Sequence, residues 1–164
     1  MNRRSFLTHL AGLGALSVLP SDGARSASSP TSDRLGALLP SRPFGPTGEP
    51  VTMLGLGGAH VGRMNERDAG ETIEIALEGG VRFFDTAESY QGGGSELALG
   101  LHLVPKYRDV SFIMSKTTAK TAAEARKHLD GTLRRLGTDV LDLWQIHALT
   151  GPDDVEARLA GGLL

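Results

Sequence analysis

Cysteine is absent from the 164 residues, which excludes disulfide bonds, iron-sulfur ligation and thiol chemistry. Runs rich in lysine or arginine are absent beyond the first few residues, and the five histidines are scattered rather than paired at metal-ligand spacing. Neither nucleic-acid binding nor a metal site is therefore indicated. With 40% hydrophobic and 22% charged residues and a formal charge of -2, the composition is that of an ordinary soluble globular protein.

The N-terminal segment contains an apolar stretch that is too short to span a membrane. About thirteen residues follow the pair Arg3-Arg4, and Gly12 and Gly14 interrupt them, whereas a spanning helix needs about 20. The run from Asn2 to Leu7 resembles a twin-arginine export signal, and Ala24-Arg25-Ser26 offers a small-x-small cleavage site. We expect residues 1–28 to be a signal peptide and the protein to be periplasmic or secreted if the signal is used. The alternative is a leader that stays attached in a cytoplasmic protein.

The remainder divides into a linker and a domain. Residues 29–41 are rich in serine, alanine, glycine and proline without periodicity, which predicts a disordered linker. From residue 42 a hairpin is followed by alternating strand and helix patterns. We predict strands at 53–57, 81–84, 110–115 and 140–146, and helices at 66–78, 95–103, 121–136 and 153–164. Four strand-helix units in a row predict parallel strands with right-handed crossovers, so the fold class is α/β.

Polar side chains end three of the apolar runs. Asp85 lies in FFDTAESY, Lys116 in FIMSKT and His147 in LDLWQIH, and Tyr90 follows Asp85 by five residues. Because parallel strands end at the same edge of a sheet, these four side chains are expected to share one rim. A shared rim of acid, phenol, amine and imidazole is a candidate catalytic site.

The motifs DTAESY, SELALG, SKT and DLWQIH occur in this order, and the four polar side chains are separated by 5, 26 and 31 residues. In this arrangement the chain resembles the aldo-keto reductase family from about residue 42 to the C-terminus. The resemblance implies a (β/α)8 TIM barrel of which about four β-α units are present, because a whole barrel needs roughly 200 to 250 residues. It also implies that the first hairpin covers the barrel floor.

Reduction of a carbonyl requires a hydride for carbon and a proton for oxygen. No side chain supplies a hydride, so a nicotinamide cofactor, NADP or NAD, is implied, with a small carbonyl compound as substrate. By the same resemblance, Tyr90 is the proton donor, Lys116 is the cation that favours the phenolate, Asp85 holds the lysine, and His147 donates to the carbonyl oxygen. Gly57 and Gly58 of the first loop, together with Asp85, are the expected cofactor-binding residues.

Other interpretations remain open from the sequence. Taken singly, Asp85 could be a turn residue, Lys116 a solvated strand end and His147 a core histidine. The chain could be an inactive barrel fragment or an interaction module, or a barrel enzyme with Lys116 as a Schiff-base nucleophile. A Rossmann site is disfavoured because LGLGGAHVG lacks the G-x-G-x-x-G spacing. Open edges on strands one and four predict self-association.

Overall fold

Four parallel strands form the centre of the computed structural model, which describes residues 30–163. In chain order the eight strands are β1 (Ser32–Asp33), β2 (Gly36–Ala37), β3 (Ser41–Pro43), β4 (Pro50–Thr52), β5 (Gly55–Gly57), β6 (Phe83–Asp85), β7 (Phe112–Thr117) and β8 (Leu143–Ile146). The first two pairs are antiparallel hairpins, and the last four strands form the parallel sheet in the order β5-β6-β7-β8.

Helices connect the parallel strands, as a parallel ladder requires. They are α1 (Glu66–Glu78), α2 (Gly94–His102), α3 (Val104–Tyr107), α4 (Ala122–Leu136) and α5 (Pro152–Ala160). The long helices have defined ends: the side chains of Asn65 and Thr121 accept the amides of Asp68 and Glu124 and so cap α1 and α4. Gly137 ends α4 at a φ of 68°, a left-handed conformation that glycine adopts without a steric penalty. None of the helices within residues 30–163 is long and apolar enough to cross a membrane.

The core lies between the helices and one face of the sheet. Phe84 pairs with Leu56 on one side and Ile113 on the other, and none of the Phe84 surface is exposed. Ile73 of α1 and Leu99 of α2 pack into the same cluster. Side chains of alternate strand residues, such as Phe83 and Met114, lie on the opposite face and are only partly buried.

The second hairpin packs at the start of the sheet strands. The ring of Phe44, in the loop between β3 and β4, lies 5.9 Å from that of Phe112, which in turn lies 5.5 Å from that of Phe83. The predicted hairpin is thus present where the barrel floor would be.

Several sequence predictions are corrected by the structure. The expected disordered linker is wrong for residues 32–39, because Asp33 in β1 forms an ion pair with Arg82, and Leu35 packs against the core. Helix α2 ends at His102, close to its predicted end at 103, but a second short helix that was not predicted, α3, follows it, and Pro105 lies in its first turn, where the missing N–H would have no helical partner. The last helix ends at Ala160 rather than running out, because Gly161 and Gly162 cap it. The predicted signal peptide lies outside the described residues.

The Asp33–Arg82 ion pair predicts acid-sensitive stability. The Arg82 guanidinium, 2.6 Å from the carboxylate, lowers the pKa of Asp33 below its ordinary value of 3.8. A lowered pKa contributes stability at neutral pH that is lost as the pH falls through the folded-state value. We expect Asp33→Asn to lower the midpoint of urea unfolding at pH 7. Between pH 5 and pH 3 the midpoint should then fall less than it does in the unmodified protein. Asp109→Asn, which breaks an exposed pair with Arg34, is the control and should change the midpoint little. Equal effects of the two substitutions would contradict the prediction.

Candidate active site

The four predicted catalytic side chains meet at the C-terminal edge of the parallel sheet. Asp85 is the last residue of β6, Lys116 is the fifth of six residues in β7, and His147 directly follows β8. Tyr90 begins a tight turn, Tyr90–Gly93, in the connection from β6 to α2, and Gln91 and Gly92 in this turn have positive φ angles. Strand β7 extends two residues beyond its predicted end, so Lys116 projects from within the strand rather than after it.

Lys116 is the centre of this cluster. Its Nζ donates to the carboxylate of Asp85, to the backbone carbonyl of Thr86 at 2.9 Å and to the Tyr90 hydroxyl at 3.1 Å. An ammonium group has three donors, and here each has an acceptor. The Lys116 side chain is 12% exposed and that of Asp85 is 28% exposed, so the ion pair is largely shielded from water. The lysine is therefore held in one position beside the phenol.

His147 completes the rim beside Tyr90. The two rings meet edge to face, with centroids 5.6 Å apart and planes at 82°. The His147 amide donates to the carbonyl of Thr117 at 2.8 Å, which extends the β7–β8 ladder by one residue. The next residue, Ala148, has a φ of 56°, a conformation that is unfavourable for a residue with a Cβ and that is enriched at functional sites.

Glu88, which sequence reasoning missed, anchors the Tyr90 loop to the neighbouring strand and helix. One carboxylate oxygen accepts the Thr118 amide at 2.8 Å and the Thr118 hydroxyl at 2.7 Å. The other lies 2.7 Å from Nδ1 of His128 in α4. Glu88 lies inside DTAESY, but its partners are 30 and 40 residues further along the chain. Only the fold brings them together.

Glu96 forms a buried hub beneath the site. Its side chain is fully enclosed and accepts hydrogen bonds from Ser115 Oγ at 2.6 Å, Thr132 Oγ1 at 2.8 Å and Arg135 Nε at 2.6 Å. The preceding residue, Ser95, lies inside α2: its hydroxyl accepts from Thr86 Oγ1 at 2.7 Å, and Gly93 occupies the capping position. Both residues belong to the SELALG motif, the one sequence signal that could have pointed to them.

The first loop, which follows β5, packs closely against this rim because it contains glycine residues. A Cβ on Gly58 would lie 2.5 Å from the Asp85 carbonyl oxygen and 2.5 Å from Ser95 Oγ, so a larger residue there would clash with the backbone. Gly57 pairs in register with Asp85, and a Cβ built on it would meet no atom within 4 Å. The missing side chain leaves open space beside Asp85 that a flat ring can occupy. These residues fit the nicotinamide end of a dinucleotide.

Comparison with known proteins agrees with this geometry. The sequence model described as the aldo/keto reductase family matches residues 53–160. A 6-dehydroglucose reductase of Novosphingobium aromaticivorans is 36% identical over 95 residues, which are 49% of this chain and 31% of that protein. A holo-form aldo-keto reductase from Bacillus halodurans superposes with a TM-score of 0.67 at 26% identity, over 75% of this chain and 45% of its own. One from Klebsiella pneumoniae in complex with NADPH gives 0.59 at 27% identity, over 67% and 41%.

The chain belongs to the aldo-keto reductase family. Its parallel sheet and helices are part of the TIM barrel of that family, as the sequence predicted. The chain spans between about a third and a half of the length of the relatives just named.

We expect Glu96→Gln to destabilise the fold markedly. The substitution leaves Arg135, whose side chain is 27% exposed, without its carboxylate and puts an amide among the hydroxyls of Ser115 and Thr132, and a buried polar group left unsatisfied costs about 1–3 kcal/mol. Urea unfolding followed by tryptophan fluorescence measures the loss. The control is Glu71→Gln on the exposed side of α1, which removes the same charge at the surface. A loss no larger than the control's would show that the hub contributes little.

Proposed function

We propose that the barrel to which this chain belongs reduces an aldehyde, ketone or sugar-like carbonyl with NADPH or NADH. The observation that carries the proposal is the contact of one lysine, Lys116, with both Asp85 and the Tyr90 hydroxyl at the edge of a parallel sheet. The family match and the NADPH bound to the Klebsiella relative support the choice of reaction and cofactor. The alternative, a barrel fragment without turnover, rests on the short length of the chain relative to its relatives.

Tyr90 supplies the proton in this mechanism. Its hydroxyl, 3.1 Å from Lys116 Nζ, transfers a proton to the substrate oxygen, and the ammonium group stabilises the phenolate that remains. Asp85 fixes the lysine so that no reorganisation is needed when this charge develops. His147 lies against the Tyr90 ring and donates a second hydrogen bond to the same oxygen. The alternative in which Lys116 is a Schiff-base nucleophile is disfavoured, because all three N–H donors of its ammonium group already have acceptors.

The cofactor, when bound, supplies the hydride that no side chain can provide. Gly57 and Gly58 place the first loop close to Asp85 and leave the face beside that residue open to the nicotinamide ring. In many barrels the phosphates are bound by loops that follow the last strands, so the described residues account for the reacting end of the dinucleotide alone.

We expect Tyr90→Phe to abolish reduction while leaving cofactor binding nearly intact, because it removes the proton donor and little packing. The assay uses a hybrid in which residues 30–160 precede the second half of the Bacillus halodurans relative, with NADPH oxidation followed by absorbance and cofactor binding by fluorescence titration. The matched control is Tyr107→Phe, which removes a hydroxyl bound to Glu74 far from the rim. Retention of more than about a tenth of turnover would exclude Tyr90 as the acid.

We also propose that the 164-residue chain produced alone associates with a second copy. Strands β5 and β8 each have one unpaired edge within the described sheet, and Phe83, Phe112 and Met114 are only partly buried on its inner face. Unpaired edges and apolar surface favour strand pairing between chains.

Size-exclusion chromatography with light scattering is expected to give a dimer or larger species, because pairing covers both the edges and the inner face. Hydrogen exchange then tests the site of contact, with slow exchange expected in β5 and β8. A stable monomer whose amides in both strands are protected would contradict the proposal, since the half-barrel would then close by itself.

For the N-terminal segment we propose export by the twin-arginine route, on the basis of Arg3 and Arg4 ahead of Phe6 and Leu7. Replacement of both arginines by lysine is expected to keep a reporter fused after residue 30 in the cytoplasm, because the signal is read as an arginine pair. Arg25→Lys is the control and should not alter export. Normal export of the double variant, measured by cell fractionation, would indicate the general secretory route.

A further inference from the structure

The hydroxyl of Ser89 faces the imidazole of His147. Ser89 Oγ lies 3.1 Å from His147 Nδ1, across 58 residues of sequence. Within residues 30–163, no other hydrogen-bond partner of this hydroxyl is found. Ser89 precedes Tyr90 directly, so one short turn carries the proposed proton donor and a contact to the neighbouring histidine.

Backbone hydrogen bonds of the turn hold the main chain of Ser89 in place independently of His147. The Tyr90 amide donates to the Ala87 carbonyl at 3.1 Å, and the Gly92 amide donates to the Ser89 carbonyl at 3.4 Å. His147 is fixed in turn by its amide bond to Thr117 and by the ring of Tyr90. Two separately anchored residues therefore meet through a single pair of polar atoms.

The direction of this hydrogen bond is linked to which nitrogen of the imidazole carries the proton. A neutral imidazole has one N–H and one acceptor nitrogen, and the hydrogen bond made by one nitrogen sets the protonation of the other. A serine hydroxyl can accept from a protonated Nδ1 or donate to an unprotonated one, and the 3.1 Å contact fits both arrangements. Where the hydroxyl donates, the ring proton is on Nε2, the nitrogen that Ser89 does not contact.

We propose that Ser89 is a positioning residue that donates its hydroxyl proton to Nδ1 and keeps His147 in the Nε2–H form. The role of that N–H as a donor to the substrate carbonyl oxygen rests on the proposed function, whereas the tautomer itself does not. An imidazole protonated on Nδ1 would present a lone pair to the carbonyl oxygen and would repel it. Ser89 thus makes His147 a donor.

The tautomer is measured on the full 164-residue chain, labelled with 15N-histidine, by two-bond proton–nitrogen correlation spectra at a pH where imidazoles are neutral. Loss of one signal set in His147→Gln assigns the residue among the five histidines. We expect His147 as Nε2–H in the unmodified chain, a mixture of tautomers in Ser89→Ala, and recovery of the Nε2–H form in Ser89→Thr, which retains a hydroxyl. His128 is an internal reference, because the Glu88 carboxylate at its Nδ1 requires the opposite form.

Two results would overturn the inference: an Nδ1–H tautomer of His147 in the unmodified chain, or identical tautomer populations in Ser89→Ala and the unmodified chain. A second measurement separates the inference from the proposed function. In the hybrid barrel, an equal mixture of tautomers halves the fraction of free protein that can donate to the carbonyl oxygen, so Ser89→Ala should raise KM and lower kcat/KM about twofold, and Ser89→Thr should restore both. An inactive hybrid with the expected tautomer shift would reject the reductase function and leave the role of Ser89 in place.

Discussion

The enclosed carboxylate of Glu96 is the interaction on which the arrangement of the site depends. It connects three elements at once, because it belongs to α2 and accepts from Ser115 in β7 and from Thr132 and Arg135 in α4. Ser115 is the neighbour of Lys116, so the hub fixes the strand at the residue before the proposed catalytic lysine. A buried carboxylate that accepts three hydrogen bonds can adopt few other positions. The hub around Glu96 therefore strongly constrains the geometry of the site.

The same end of α2 also fixes the neighbouring strand. Ser95 accepts from Thr86, and the carbonyl of Thr86 in turn accepts from Lys116. The lysine is thus constrained along its own strand by Glu96 and across the sheet by Ser95. Gly58 must lack a side chain because the Asp85 carbonyl oxygen and the Ser95 hydroxyl occupy the space that a Cβ would need. Gly58 and Ser95 at the start of α2 therefore pack directly against each other.

Features set by local chemistry could be predicted from the sequence. The helix Glu66–Glu78 was confirmed with both ends, because Asn65 supplies a cap and Gly79 follows its last turn. The meeting of Asp85, Lys116 and His147 was confirmed because the ends of consecutive parallel strands share an edge, a property of topology rather than of side-chain detail. The roles of these residues in catalysis remain predictions.

Pairings between polar groups far apart in the chain could not be predicted. Asp33 and Arg82 are 49 residues apart, and nothing local to SDRLGAL distinguishes a tethered hairpin from a linker. Glu88, Glu96 and Ser89 stand within motifs that were noticed, but their partners lie on other elements, and many residues of the same type on those elements were equally plausible. The short helix α3 was not predicted, because a proline in the first turn of one helix also marks the end of the helix before it.

The contacts of Lys116 have a consequence for the order of folding. Its partners Asp85 and Tyr90 lie only 31 and 26 residues earlier in the chain, and each pair is bridged by a single crossover. Contacts of short sequence separation form quickly because little loop entropy opposes them. The lysine, carboxylate and phenol all lie within one β-α-β unit, so their contacts need only that unit, whereas the rim is complete only when β8 brings His147 and α4 brings the partners of Glu96.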